Sequence, residues 1–314
     1  MKIAVSRTAV MAVFTMLSAS MCAENEPVKY IDSDGQEKYV TDYKVMKGNE
    51  DHLESGWYVV NEEDFSNGKR LFVAGDVRII LCDGIIWNVS TRTGATTFYS
   101  GMNASLRFYA QSTGDDMGCV VSRNYGYGSC LGFCSVDTLE INGGSFVYDD
   151  TVVDGVSMYT VNFIMNGGKV VISNAYKGVS GETLCLNGGE LDVSSSSLGI
   201  GVGKNLVFGK SYCDFVCNCT SFGYYGDDDI QIADYVRVKL GDKEYLSSIP
   251  YDITDVENIT KISTHYDEGL VAIESMSKKL EESDVWYTLA GVRLATEPIE
   301  RGVYIHNGTK VCVR

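Results

Sequence analysis

Between residues 70 and 240 the chain alternates apolar and polar positions in short runs, with glycine separating one run from the next. Alternation at period two puts successive side chains on opposite sides of a strand, so the pattern predicts many short strands, each with one apolar face. Three runs share one interruption. Residues 139–147 (LEINGGSFV), 163–172 (FIMNGGKVVI) and 184–193 (LCLNGGELDV) alternate up to Asn-Gly-Gly and then alternate again, and Asn142, Asn166 and Asn187 stand 24 and 21 residues apart. Weaker copies occur at 77–84 (VRIILCDG), 106–110 (LRFYA), 206–209 (LVFG) and 236–240 (VRVKL). A repeat in the low twenties, built of strands and glycine corners, is the period of one coil of a parallel β-helix, in which stacked coils bury a continuous core.

Asn-Gly between alternating runs also signals an antiparallel hairpin. The hairpin reading leaves segments such as 173–181 as long loops, whereas the coil reading uses them as a third face. The coil is therefore preferred. Asn and Gly tolerate left-handed backbone, which gives the corner a reason to recur. The expected fold is all-β: a single-stranded, right-handed parallel β-helix over residues 70–248, its hand taken from the general crossover preference. An N-terminal cap (24–69) is expected over the open end of the stack. A linker (249–284) with a short helix near 268–281 and a small C-terminal β-module (285–314) complete the chain.

Composition sharpens this. The 314 residues include 33 Gly and only 3 Pro, and Pro27, Pro250 and Pro298 all lie outside the expected coils. That suits strands, because proline cannot donate to a ladder. With 26 Lys and Arg against 42 Asp and Glu, the net charge of −16 argues against nucleic acid and anionic membranes as partners. Lys2 and Arg7 precede an apolar stretch over 9–20, which reads as a secretory signal (1–23) cut near Ala23. Its loss would move the charge from −16 to −18. Cys22 raises a lipoprotein as the alternative, although no small residue stands directly before it. No other stretch has the length of a membrane span, so a secreted or outer-surface protein without an integral membrane segment is expected. Cys213, Cys217 and Cys219 have ligand-like spacing, but no second pair completes a zinc site, and they read as small apolar residues.

The N-terminal segments VKYIDSDG (28–35), SGWYVV (55–60), GDVRIILCDG (75–84) and SLRFYAQSTG (105–114) resemble a family of secreted repeat proteins of Gram-negative gut and oral anaerobes. In that family such segments precede INGGxV coils, and many members are described as carbohydrate-binding-domain-containing. The match covers residues 28–209. It departs from the family in its glycine-rich turns, present here only as GIGVG (199–203), and in the coils after Gly114. At the other end WYTLAGVR (286–293) and RGVYIHNGTKV (301–311) are similar to the WYxLxGxR and KGxYIxxGxKV tails of proteins from the same bacteria, some of which are type IX secretion sorting signals. The resemblance implies export, surface attachment and carbohydrate binding.

No motif of nucleophilic, metalloprotease or nucleotide chemistry is present. GIGVGK (199–204) imitates a phosphate loop, but Leu198 stands where its first glycine belongs and Asn205 replaces the Ser or Thr that would hold magnesium. Asp115-Asp116, Asp149-Asp150 and Asp227-Asp228-Asp229 could serve a polysaccharide lyase or glycosidase, yet no basic residue recurs at the coil period beside them. Aromatic rings stack on sugar faces while Asp and Asn accept from hydroxyls. Tyr125, Tyr127, Tyr224, Tyr225, Asp227, Asp228 and Asp229 are the candidate ligand-binding residues on that ground. No cofactor is expected, weak calcium binding at Asp227–Asp229 being the alternative. The expected protein is a monomeric, non-enzymatic interaction protein that binds a glycan or a host or bacterial surface protein. A β-helical lyase or hydrolase and a purely structural surface protein are the alternatives.

Overall fold

Each alternating run becomes a strand whose apolar residues point inward, and the runs stack in register from one coil to the next. The structure, a computed structural model, describes residues 25–63, 65–66, 69–89, 96–124, 131–150, 156–251, 259–267, 286–289, 292–294, 296–306 and 309–313. Among them there is no helix, and so none long and apolar enough to cross a membrane. The body is a parallel β-solenoid with three faces per turn. The chain runs through the first face (for example Phe98–Ser100), then the second (Ser105–Ala110), then the third (Cys119–Asn124).

On each face one inward position repeats at every turn. Leu71, Phe98, Cys134, Met158, Val179, Ile200 and Phe222 form the column of the first face. Leu106, Leu139, Phe163, Leu184 and Leu206 form that of the second. Phe65, Trp87, Val120, Phe146, Val170, Leu191 and Cys217 form that of the third. All are buried. Each large side chain so buried contributes about 1.5–3 kcal/mol, which makes these columns the main source of stability. At the N-terminal end the core is aromatic, with Phe65, Trp87, Phe98, Phe108 and Phe146 linked by ring contacts of 4.9–5.8 Å.

Both ends differ from the expected layout. Parallel pairing begins at Lys44 and Val45, which pair with Tyr58 and Val59, so the stack starts inside the segment read as a cap. The hairpin of Val28–Ile31 and Glu37–Val40 covers a side of the stack instead. The reason is an apolar outer column, Val59, Ile80 and Tyr109 on the second face, which the hairpin covers with Tyr30. The Tyr30 ring lies 4.7 Å from Trp57 and 5.1 Å from Tyr109. At the other end Lys261–Tyr266, within the expected linker, pairs antiparallel with Phe215–Cys219 and with Val236–Leu240. These antiparallel strands occupy the edge that the last parallel coil would otherwise leave open.

The C-terminal module is a four-stranded antiparallel sheet in the order Arg293–Leu294, Trp286–Thr288, Gly302–His306, Thr309–Val313. Trp286 stacks on His306 at 4.1 Å. The signal sequence, the helix expected at 268–281, Tyr125 and Tyr127 lie outside the described residues.

Candidate functional site

Two corners bound the second face, and both combine tight turns with longer loops. The corner from the second to the third face holds the Asn-Gly-Gly repeats. Their asparagines are not left-handed, contrary to the sequence expectation; the second glycine of each is, with φ of 99°, 79° and 101° at Gly144, Gly168 and Gly189. The asparagines form a ladder. Asn166 Nδ2 donates to Asn142 Oδ1 at 2.8 Å, Asn187 Nδ2 donates to Asn166 Oδ1 at 2.8 Å, and Asn187 Oδ1 accepts from Gly209 N at 2.9 Å. Asn142 and Asn166 are buried, so each amide satisfies a group that would be costly to leave unpaired.

Over this corner lies a strap, residues 209–214. Tyr212 Oη donates to the carbonyl of Asn142 at 2.9 Å, and Ser211 Oγ donates to that of Asn166. A Cβ at Gly167 would collide with Tyr212 Oη, and one at Gly35, in the hairpin turn, with the Tyr212 ring. Tyr212 thus joins the N-terminal hairpin to the late coils. Beside the strap a groove of about 260 Å³ is lined by Asp115, Met117, Lys169, Glu190 and Asp214, with Lys169 paired to Glu190 at 2.8 Å.

Among the described residues no strap crosses the corner from the first to the second face. That corner is long where Gly101, Met102, Asn103 and Ala104 separate two strands, and long again at Tyr225–Asp229. Between those loops the strands Leu131–Ile141, Val156–Met165, Lys169–Leu186 and Gly189–Phe208 run through the bend without a break, at Asp137, Val161, Glu182 and Lys204. Two projecting loops with four tight corners between them make a saddle along the solenoid axis. Its floor is a column of polar side chains in one register: Ser105, Thr138, Asn162, Thr183 and Asn205. These face outward, because the residue after each is an inward Leu or Phe. Asn162 Nδ2 donates to Thr138 Oγ1 at 3.2 Å and Asn205 Nδ2 to Thr183 Oγ1 at 3.4 Å.

At one end of the saddle a recess of about 390 Å³ opens between Met102, Asn103, Ala104, Ser105, Asp137, Thr138, Val161 and Asn162. The Asp137 carboxylate accepts from the backbone N–H of Asn103, which fixes the loop against the floor. Two apolar groups line the recess in contact with solvent: Met102 is 88% exposed and Val161 38%. Farther along, Glu182 pairs with Lys204.

The expected residues Tyr224, Tyr225 and Asp227–Asp229 stand at the far end of this saddle. They do not act alike. Tyr224 Oη shares its proton between the carbonyls of Lys204 and Asp228, at 2.9 and 2.7 Å, so it braces the loop. Burial first, then the carboxylates of Asp228, Asp227 and Asp229, raises its pKa above the usual phenol value. Tyr225 is 68% exposed, and its phenol end lies against Gly223 on the first face. The three aspartates are exposed, and Asp229 Oδ1 accepts from the backbone of Tyr251 at 3.3 Å.

Sequence reasoning missed the polar column and the recess. Thr138, Asn162, Thr183 and Asn205 each stand four residues before Asn142, Asn166, Asn187 or Gly209, a fixed offset that only the repeat register turns into one line. Of the cysteines, Cys217 and Cys219 point into the core and Cys213 lies in the strap. Burial and the neighbouring Asp83 push the thiol of Cys82 up to about 11. Among the described residues no group of three or more His, Cys, Asp or Glu side chains is placed to hold a metal ion. No family model matches the chain, and no curated protein or solved structure matches it either.

Proposed function

We propose that the protein is an exported, non-enzymatic glycan-binding protein of the cell surface, and that it holds its ligand along the saddle between the first and second faces. One observation carries the reading: exposed Met102 and Val161 line a recess at one end of an outward line of hydroxyl and amide side chains, and exposed Tyr225 opens the loop at its other end. A sugar offers the matching pair of surfaces, an apolar ring face and a rim of hydroxyls. The leader sequence and the resemblance of residues 286–311 to sorting tails support export and attachment. A protein partner fits less well, since hot spots for proteins centre on a desolvated apolar pocket and this floor is polar.

The test is a glycan array with the purified protein, followed by an assay for reducing ends and unsaturated products on every glycan retained. Retention without product is expected. Product formation would overturn the non-enzymatic reading in favour of a lyase or hydrolase. Absence of retention on any glycan would leave the solenoid a structural surface protein.

A further inference from the structure

The shape of the saddle narrows what it can hold. Its polar column advances by one residue per coil, and adjacent strands lie about 4.8 Å apart, so the four tight corners and their flanking loops span roughly 24 Å. A pyranose unit of an extended, unbranched chain advances by nearly the distance between coils. One sugar can therefore meet one member of the column at each step, with the Tyr225–Asp229 loop at one end and the Met102 loop at the other. The column itself is uncharged. The charges near it are Asp76, which accepts from Ser105 and pairs with Arg78 and Arg107, then Asp137, the mutually compensating Glu182 and Lys204, and Asp227–Asp229 at the end, within a chain of net charge −16. That field repels carboxylated or sulfated glycans.

Resting on the glycan-binding reading above, we infer that the saddle takes a segment of about four sugars from a neutral, unbranched polysaccharide, laid parallel to the solenoid axis with one sugar per coil. Each column residue then exchanges hydrogen bonds with the hydroxyls of its own sugar, and Tyr225 and Met102 pack on the two outer rings. Affinity comes from repetition, so a single sugar binds weakly and each added sugar strengthens binding until the end loops are reached.

Titration calorimetry of the purified protein against cello-, manno- and chito-oligosaccharides of increasing length tests this, with oligogalacturonate as the anionic arm and glucosamine oligomers as the cationic one. One neutral series should gain affinity with each sugar and level off at about four. Oligogalacturonate should not bind. Asn205→Ala, an exposed change, should weaken the full-length oligomer roughly tenfold. Circular dichroism and thermal melting establish that the variant is folded. Equal affinity for a monosaccharide and its longer oligomers would overturn the inference, as would preference for either charged series or indifference to Asn205→Ala. Those results would still leave a glycan-binding protein, whereas failure to bind any glycan would sink the reading beneath it.

Discussion

The two corners that bound the second face are built alike and used differently. Each has tight turns through the middle coils and longer loops at the ends. On one, the turn residues are asparagines, buried at Asn142 and Asn166 and half-buried at Asn187, and Tyr212 lies over them as part of the fold. On the other, the residues at the equivalent line are Thr138, Asn162, Thr183 and Asn205, half-exposed or exposed, and no strap among the described residues covers them. Filling a saddle with the protein's own side chain gives stability; leaving one open gives a surface. Polar residues in a ladder therefore carry opposite meanings on the two corners, and burial tells them apart.

Substitutions should separate the corners by their cost. The largest effect is expected for Asn166→Ala, which strands Asn142 Oδ1 and Asn187 Nδ2 in a buried ladder. Two groups left unpaired at about 1–3 kcal/mol each predict a loss of roughly 3 kcal/mol in urea denaturation. A loss below about 1 kcal/mol would show that the ladder does not hold the corner. Tyr212→Phe removes a single neutral hydrogen bond from the strap and keeps the ring, so it should cost about 1 kcal/mol in the same measurement. Asn205→Ala repeats the chemistry of the first change on the open corner. It should alter stability by no more than about 0.5 kcal/mol, and a larger cost would mean that this column is structural after all.

The smallest effect is one of pH. His265 Nδ1 lies 3.0 Å from Asp214, at the end of the strap, and that hydrogen bond followed by the carboxylate charge raises the His265 pKa above 6.5. A raised histidine pKa means that the pair stabilises the fold below the ordinary value and is lost as pH rises through the raised one. Both groups are exposed, so the contribution to stability is slight. An NMR titration should show His265 protonating above its ordinary pKa, and Asp214→Asn should return it there. No change in the variant would remove the ion pair from the account.

The repeat in the sequence disclosed the solenoid because Asn-Gly-Gly and the strands around it keep nearly constant spacing from Asn142 to Asn187. It also placed all three prolines outside the parallel strands. The role of the asparagines was hidden, since a ladder is a contact between coils and the local backbone preference of Asn suggests a left-handed turn instead. Lys261–Tyr266 was illegible for a related reason: its partner, Phe215–Cys219, is far away in the chain. Of the site, the loop with Tyr225 and Asp227–Asp229 could be found by its composition. Thr138, Asn162 and Thr183 could not, because each is an ordinary outward residue until the register aligns them.

The central claim is that a ligand occupies the open corner and never the filled one. Hydrogen–deuterium exchange of the protein with and without a saturating neutral oligosaccharide reads both corners in one experiment. Protection is predicted at residues 102–105, 137–138, 161–162, 182–183, 204–205 and 225–229, with exchange at 142–144, 166–168 and 187–189 unchanged. Protection confined to the asparagine corner, or to neither, would contradict it.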